Sequence, residues 1–331
     1  MVARALILLL VLAALLLWRG RSGPESAAPA APERVVLALP SQPANAGWFL
    51  GLARGDFRAE GIELIDQPHD TGVQALNAVL AGQADLAIVA DTPFMFAVME
   101  GADIVIALTS YNSRTNLAIL GRRDRGIAEV ADLAGRRIGF VPRTNAQFFL
   151  DSFLLVHRLS ATTTRVALTP ASALPALVRG EVDALAAWEP ILSRGRAQLS
   201  AGFSEFQAPE VYTFRFNLVG RRAYVQQNGT AIRRMIRALH QANLALRSDP
   251  AAALAAIRPR LGTLDPGLVL QPADYQTVLD QALLMALEDQ ARWALRQGLV
   301  PTQSQPDFLA HLAADALLAE RPLDVGLVRG P

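Results

Sequence analysis

From Glu33 onward the chain alternates short, dense apolar runs with longer stretches whose apolar residues recur at helical spacing, and Gly, Pro or polar turns separate them. Residues 35–39 read as a strand buried on both faces and stopped by Pro40, and residues 47–59 as a helix that ends at Glu60-Gly61. Residues 62–65 alternate as a half-buried strand, 73–81 form an amphipathic helix stopped by Gly82, and 86–90 form a second buried strand. A helix over 93–100, ended by Gly101, and a strand over 104–108 complete this run. The pattern then restarts. Asp132-Leu133-Ala134-Gly135 leads into a strand at 137–141, a polar turn and a helix at 146–159. A strand at 166–168, a helix at 174–179, a strand at 182–188 and a long alternating strand at 213–221 follow. Beyond that the spacing is helical throughout: 229–246, 250–258, 274–297 and 306–318.

Strands alternating with helices predict the α/β class. Two such units in series, followed by a helical tail, fit two lobes joined by two crossing strands. The chain crosses near 116–122 and returns near 212–221, so 33–118 with 219–331 form lobe 1 and 119–218 form lobe 2. The C-terminal helices then pack on lobe 1. Ligands in open α/β sheets bind at the carboxyl ends of strands, and two facing lobes would line one cleft with those ends.

Residues 1–31 read as an export segment. Arg4 precedes an apolar run at 5–18, which is shorter than the ~20 residues of a comfortable membrane span, and Ala28-x-Ala30 supplies small residues for cleavage. Arg19 and Arg21 directly after the run favour the alternative of an uncleaved anchor. Either way the body is expected outside the inner membrane, in the periplasm.

Composition narrows the chemistry. The 331 residues are 52% hydrophobic and 18% charged, as befits a globular body, and the formal charge is +1. The export segment holds a net +2 of this, so the remainder is near −1 and offers no field for nucleic acid. There is no cysteine, which excludes disulfides, thiolate nucleophiles, iron–sulfur clusters and thiolate zinc sites. There is no lysine either, so no Schiff base can form on this chain. His69, His157, His240 and His311 are scattered without metal-ligand spacing, and neither G-x-S-x-G nor GxGxxG occurs. No cofactor, no metal and no enzymatic activity are expected.

Four segments carry a family resemblance: GWFLGLARGDFRAEGIE from Gly47, ALNAVLAGQADLA from Ala75, DLAGRRIG from Asp132 and ALVRGEVDALAAWEP from Ala176. In this order and spacing the chain resembles the nitrate/sulfonate/taurine-type periplasmic solute-binding proteins of ABC importers, a superfamily that includes thiamine-precursor-binding proteins. The resemblance implies a type II periplasmic-binding-protein fold. It also implies a monomer that captures a small polar organic ligand, sulfonate-, taurine- or nitrate-like or an amino-bearing pyrimidine, and hands it to a permease driven by a separate ATPase. A sensory role toward a membrane partner is the alternative. The relatives that make thiamine pyrimidine use an active-site lysine, which this chain lacks.

The turn Pro142-Arg143-Thr144-Asn145-Ala146-Gln147 joins a strand end to a helix start, where free N–H groups and the helix dipole can meet a ligand. Thr144 or Asn145 can cap the helix, Gln147 lies in its first turn, and Arg143 can clamp an oxyanion through two N–H groups. Trp188 offers a flat wall and Glu189 an acceptor for an amine. On lobe 1, Ser41 and Gln42 follow the first strand, Asn45 and Trp48 begin the first helix, Asp91 and Thr92 follow the third strand, and Tyr111 and Asn112 the fourth. Asp91 can equally serve as a helix cap.

Overall fold

In a computed structural model, which describes residues 31–200, 202–261 and 275–328, the chain opens on β1 (Glu33–Pro40). β2 (Ile62–His69), β3 (Leu86–Ala90) and β4 (Ile104–Ser113) follow, separated by the helices Ala46–Arg54, Gly72–Leu80 and Asp91–Met99. The chain then enters a second sheet through β5 (Leu117–Arg122). β6 (Arg137–Phe140), β7 (Thr164–Ala167), β8 (Ala184–Trp188) and β9 (Phe203–Phe206) complete it, with the helices Asn145–Val156, Pro170–Arg179 and Ile191–Leu199 between them. β10 (Phe214–Arg221) returns to the first sheet, joined there by β11 (Tyr275–Asp280) and β12 (Val325–Gly326). The predicted export segment lies almost wholly outside the described residues. Among the described residues no helix is long and apolar enough to cross a membrane.

The first sheet has the order β12-β11-β4-β10-β3-β1-β2 and the second β7-β6-β8-β5-β9. In the first, β1 runs parallel to β2 and β3, and β10 is inserted antiparallel between β3 and β4. In the second, β6 runs parallel to β7 and β8, and β5 lies antiparallel beside β8. In both sheets the first strand after a crossing thus runs against its neighbours. This is the type II periplasmic-binding-protein arrangement that the resemblance implied.

Burial follows the hydropathy pattern. β3 is buried at all five positions, as expected of a strand covered on both faces. Helix Gly229–Ser248 lies on helix 46–54, and the approach is close because Gly47 and Gly51 face it. A Cβ at Gly47 would meet Asn243 Oδ1 at 2.2 Å, and one at Gly51 would meet the Phe57 ring at 2.7 Å.

Three expectations from spacing are corrected. The helix over 47–59 is broken at Gly55, whose φ of +77° ends the first segment before a short second one, Asp56–Ala59. The helix over 274–297, whose first residue lies outside the described residues, is instead strand β11 followed by helix Gln281–Arg296. Residues 275–280 alternate inward and outward and use the free edge of β4, and Asp280 caps the helix by accepting from the Leu283 N–H at 2.9 Å. The helix over 306–318 is interrupted because Leu312 pairs with Ile106 and the Ala313 N–H donates to the Ile106 carbonyl at 2.8 Å. What remains is a 3-10 turn, Phe308–His311, and the helix Asp315–Glu320.

Candidate functional site

The carboxyl ends of three parallel strands in each sheet open onto one cavity of about 310 Å3. Gln42 follows β1, the Thr71–Gln74 turn follows β2, and Ala90 ends β3 with Pro93 beyond it. From the second sheet, Val141, Pro142, Thr144 and Asn145 follow β6, Pro170 follows β7, and Trp188 ends β8. Phe214 and Phe216 of the returning strand line it as well. No charged side chain lines this chamber among the described residues. A second chamber of about 430 Å3 adjoins it, sharing Gln42, Thr71, Gln74, Pro170 and Trp188. There Ser41, Asp70, Ile191 and Arg194 also reach the wall.

Several helix starts line the inner chamber, and two of them, 72–80 and 145–156, differ in how they are capped. Helix 72–80 carries a capping box: Thr71 Oγ1 accepts from the Gln74 N–H at 3.2 Å while Gln74 Oε1 accepts from the Thr71 N–H at 3.3 Å. Its Gly72 and Val73 N–H groups have no intrahelical partner to find. Helix 145–156 has no side-chain cap at all. Thr144 occupies the cap position, but its hydroxyl donates backward to the Val141 carbonyl at 2.7 Å. Asn145, 5% exposed, lines the chamber with a buried Nδ2 that has no hydrogen-bond partner. A buried donor left unpaired costs about 1–3 kcal/mol, so this amide calls for an acceptor that the chain itself does not supply.

Of the sequence candidates, Ser41, Gln42, Thr144, Asn145 and Trp188 are brought to the two chambers. The others are placed elsewhere. Trp48 is turned into the core, stacked on Phe57 with ring centroids 5.7 Å apart. Asn45 is buried with its amide donating to the Pro40 carbonyl at 2.8 Å. Tyr111 packs between Phe214 and Tyr275, and Asn112 exchanges amide hydrogen bonds with Gln276 on β11. Both fall on the part of β4 that pairs with its neighbours, because the strand runs on to Ser113 instead of ending at Leu108.

The two acidic candidates are consumed internally. Asp91 is fully buried, accepting from Gln290 Nε2 at 2.9 Å and, through a very short bond, from the Tyr212 hydroxyl, with Arg215 at 4.0 Å. Burial pushes its carboxyl up, against the pull of Arg215 and of the hydrogen bonds from Tyr212, Gln290 and the Thr92 N–H. Thr92 is buried beside it. Glu189 accepts from the Ser193 hydroxyl at 2.6 Å, the Ser193 N–H at 3.1 Å and Arg196 at 2.7 Å. It therefore has no free oxygen to offer an amine, and the inference of an amino-bearing ligand loses its basis. Glu189→Gln is expected to cost about 1–3 kcal/mol of stability, read by chemical denaturation, since it weakens a charged hydrogen-bond set. Arg143 also turns away from the chamber, toward Glu100, and Gln147 Oε1 accepts from the Arg143 N–H at 2.7 Å.

Sequence reasoning missed Phe214 and Phe216. The signal was present: in Phe-Arg-Phe a period of two puts both rings on one side and Arg215 on the other. It also missed the backbone at Gly72 and Val73, which no side-chain chemistry marks.

A family model described as NMT1/THI5 like matches residues 42–253. A curated protein of Escherichia coli (strain K12), described as an aliphatic sulfonates-binding protein, is 29% identical over 201 residues, 59% of this chain. The match spans 61% of that protein's own length. Among solved structures, the periplasmic aliphatic sulphonate binding protein SsuA from Escherichia coli superposes with a TM-score of 0.72 at 23% identity, covering 85% of this chain and 97% of its own. The alkanesulfonate-binding protein SsuA from Xanthomonas axonopodis pv. citri, solved bound to MOPS, gives 0.72 at 24% identity over 86% and 99%. At these identities the superpositions establish the fold. The family match covers well over half of the sequence, and the chain belongs to the NMT1/THI5 like family.

Proposed function

We propose that this protein is the periplasmic solute-binding component of an ABC importer and that it captures an organic sulfonate with an apolar body between its two sheets. The observation that carries the reading is the inner chamber: an uncapped helix start and the unpaired Asn145 amide on one side, Phe214, Phe216 and Trp188 on the others, and no charged side chain. A sulfonate stays ionised at any physiological pH and presents three acceptor oxygens. Neutral N–H donors and a helix dipole suit such a head, and desolvated aromatic walls suit the carbon body behind it. An ammonium group would find no acceptor carboxylate there, since Glu189 is taken by Arg196 and Ser193. The names of the proteins that match the chain point the same way.

Uptake requires a permease and an ATPase on other chains. A G-x-x-x-x-G-K-[ST] phosphate loop needs a lysine, and this sequence has none. The test is a thermal-shift series with hexanesulfonate, benzenesulfonate, taurine and nitrate. A ligand at 100 times its dissociation constant should add ~2.7 kcal/mol of stability. Hexanesulfonate and benzenesulfonate are expected to raise the melting point more than taurine or nitrate. A flat response to all four overturns the proposal.

A further inference from the structure

We infer that Arg143 is a positioning residue for the bound anion, acting not by touching it but by clasping the binding turn to the opposite sheet's helices. The inference rests on the chamber being the ligand site. Arg143 stands between Pro142 and Thr144, which both line the chamber, yet its side chain leaves in the other direction. Its Nη2 donates to Glu100 Oε1 at 2.6 Å, its Nη1 donates to the Leu299 carbonyl at 3.4 Å, and its guanidinium lies 4.3 Å from the centre of the Phe96 ring. Phe96 belongs to helix 91–99 and Glu100 caps its end, so the contact joins an element of the first sheet to a turn of the second.

Three features give this clasp a purpose beyond a surface ion pair. Arg143 adopts φ +60°, a left-handed backbone that a branched or long side chain rarely takes, so the surroundings must hold it there. The Gln147 side chain accepts from the same residue's N–H at 2.7 Å, locking the turn from within. A second cross-sheet contact lies close by: Trp293 packs between Phe96 and Phe148, and its Nε1 donates to Asp151 at 3.0 Å. Helix 145–156, whose uncapped start meets the ligand, is thus tied at its outer side to helix 91–99 and helix 281–296. Release of Arg143 would free the turn that aims the Asn145 amide and the first-turn N–H groups.

Arg143→Asn is the cleanest variant, because asparagine tolerates the left-handed backbone but cannot reach Glu100. Titration calorimetry with hexanesulfonate should show about a tenfold weaker dissociation constant, expressed mainly as faster release. Glu100→Gln should weaken binding less, since Phe96 and Leu299 still hold the guanidinium, and the double variant should be no worse than Arg143→Asn alone. Amide hydrogen exchange of the ligand-free protein should quicken at Asn145 and Ala146 in Arg143→Asn while the strands of both sheets keep their protection. Unchanged affinity and unchanged exchange at the turn would overturn the clasp and leave the proposed function intact. Wild-type protein that binds none of the sulfonates would overturn the function and this inference with it, whatever the exchange data show.

Discussion

Asp91→Ala is expected to destabilise the fold by about 3–5 kcal/mol, the cost of removing one partner from a buried charged network. The carboxylate is completely enclosed and receives Tyr212, Gln290 and Thr92 while Arg215 stands 4.0 Å away. Deleting it strands a phenolic hydroxyl, an amide and a cation whose side chain is 10% exposed. These groups come from distant parts of the sequence: Tyr212 and Arg215 from the returning crossing, Gln290 from helix 281–296. The network therefore ties the third strand's end to the crossing and to the C-terminal helix. Denaturant unfolding followed by circular dichroism measures the loss; a change below about 1 kcal/mol would show the network to be dispensable. The pH dependence has a definite sign. Burial raises the Asp91 carboxyl, so its contribution is largest below the unfolded-state value and declines as pH rises through the raised folded-state value. Asp91→Asn should lack that decline.

Asn145→Asp should abolish sulfonate binding while leaving the fold intact. The substitution replaces a neutral donor with a carboxylate against the anionic head, and at about 4 Å in a partly desolvated site the repulsion is on the order of 4 kcal/mol. The dissociation constant should rise by a hundredfold or more. An acid in the first turn of a helix interacts favourably with its dipole, so the melting point of the ligand-free variant should hold or rise. Affinity and stability thus move in opposite directions, which separates a binding role from a structural one. Asn145→Ala should lose less, about 1.5–3 kcal/mol, as one hydrogen bond to a charged group is removed. Hexanesulfonate calorimetry on both variants decides it: an Asp variant that binds as tightly as wild type removes Asn145 from the site.

The placement of candidates shows where a linear reading reaches its limit. Thr144 and Asn145 were legible because a strand end, a polar turn and a helical pattern stand in immediate succession, and that local order is what puts a helix start at a sheet's edge. Trp48 was misread because its helix was right but its face was not: only the packing of Phe57 and helix 229–248 decides which side of helix 46–54 turns inward. Arg143 and Glu189 were misread for a shared reason. Each is a charged residue at a strand's carboxyl end, where a ligand contact is plausible, and each is claimed by a partner the sequence does not announce, Glu100 in one case and Arg196 in the other. β11 was read as helix because Tyr275–Asp280 becomes a strand only when β4 offers it an edge.

By itself the sequence determined the α/β class, the two crossings and the absence of lysine and cysteine chemistry, since each of these follows from periods of 2 and 3.6 or from residue counts. Tertiary structure alone decided which donors stay unpaired. Hydrogen-bond satisfaction is a property of the whole packed chain: a carboxylate or amide is free for a ligand only if no distant side chain reaches it first, and that depends on distances no local pattern encodes.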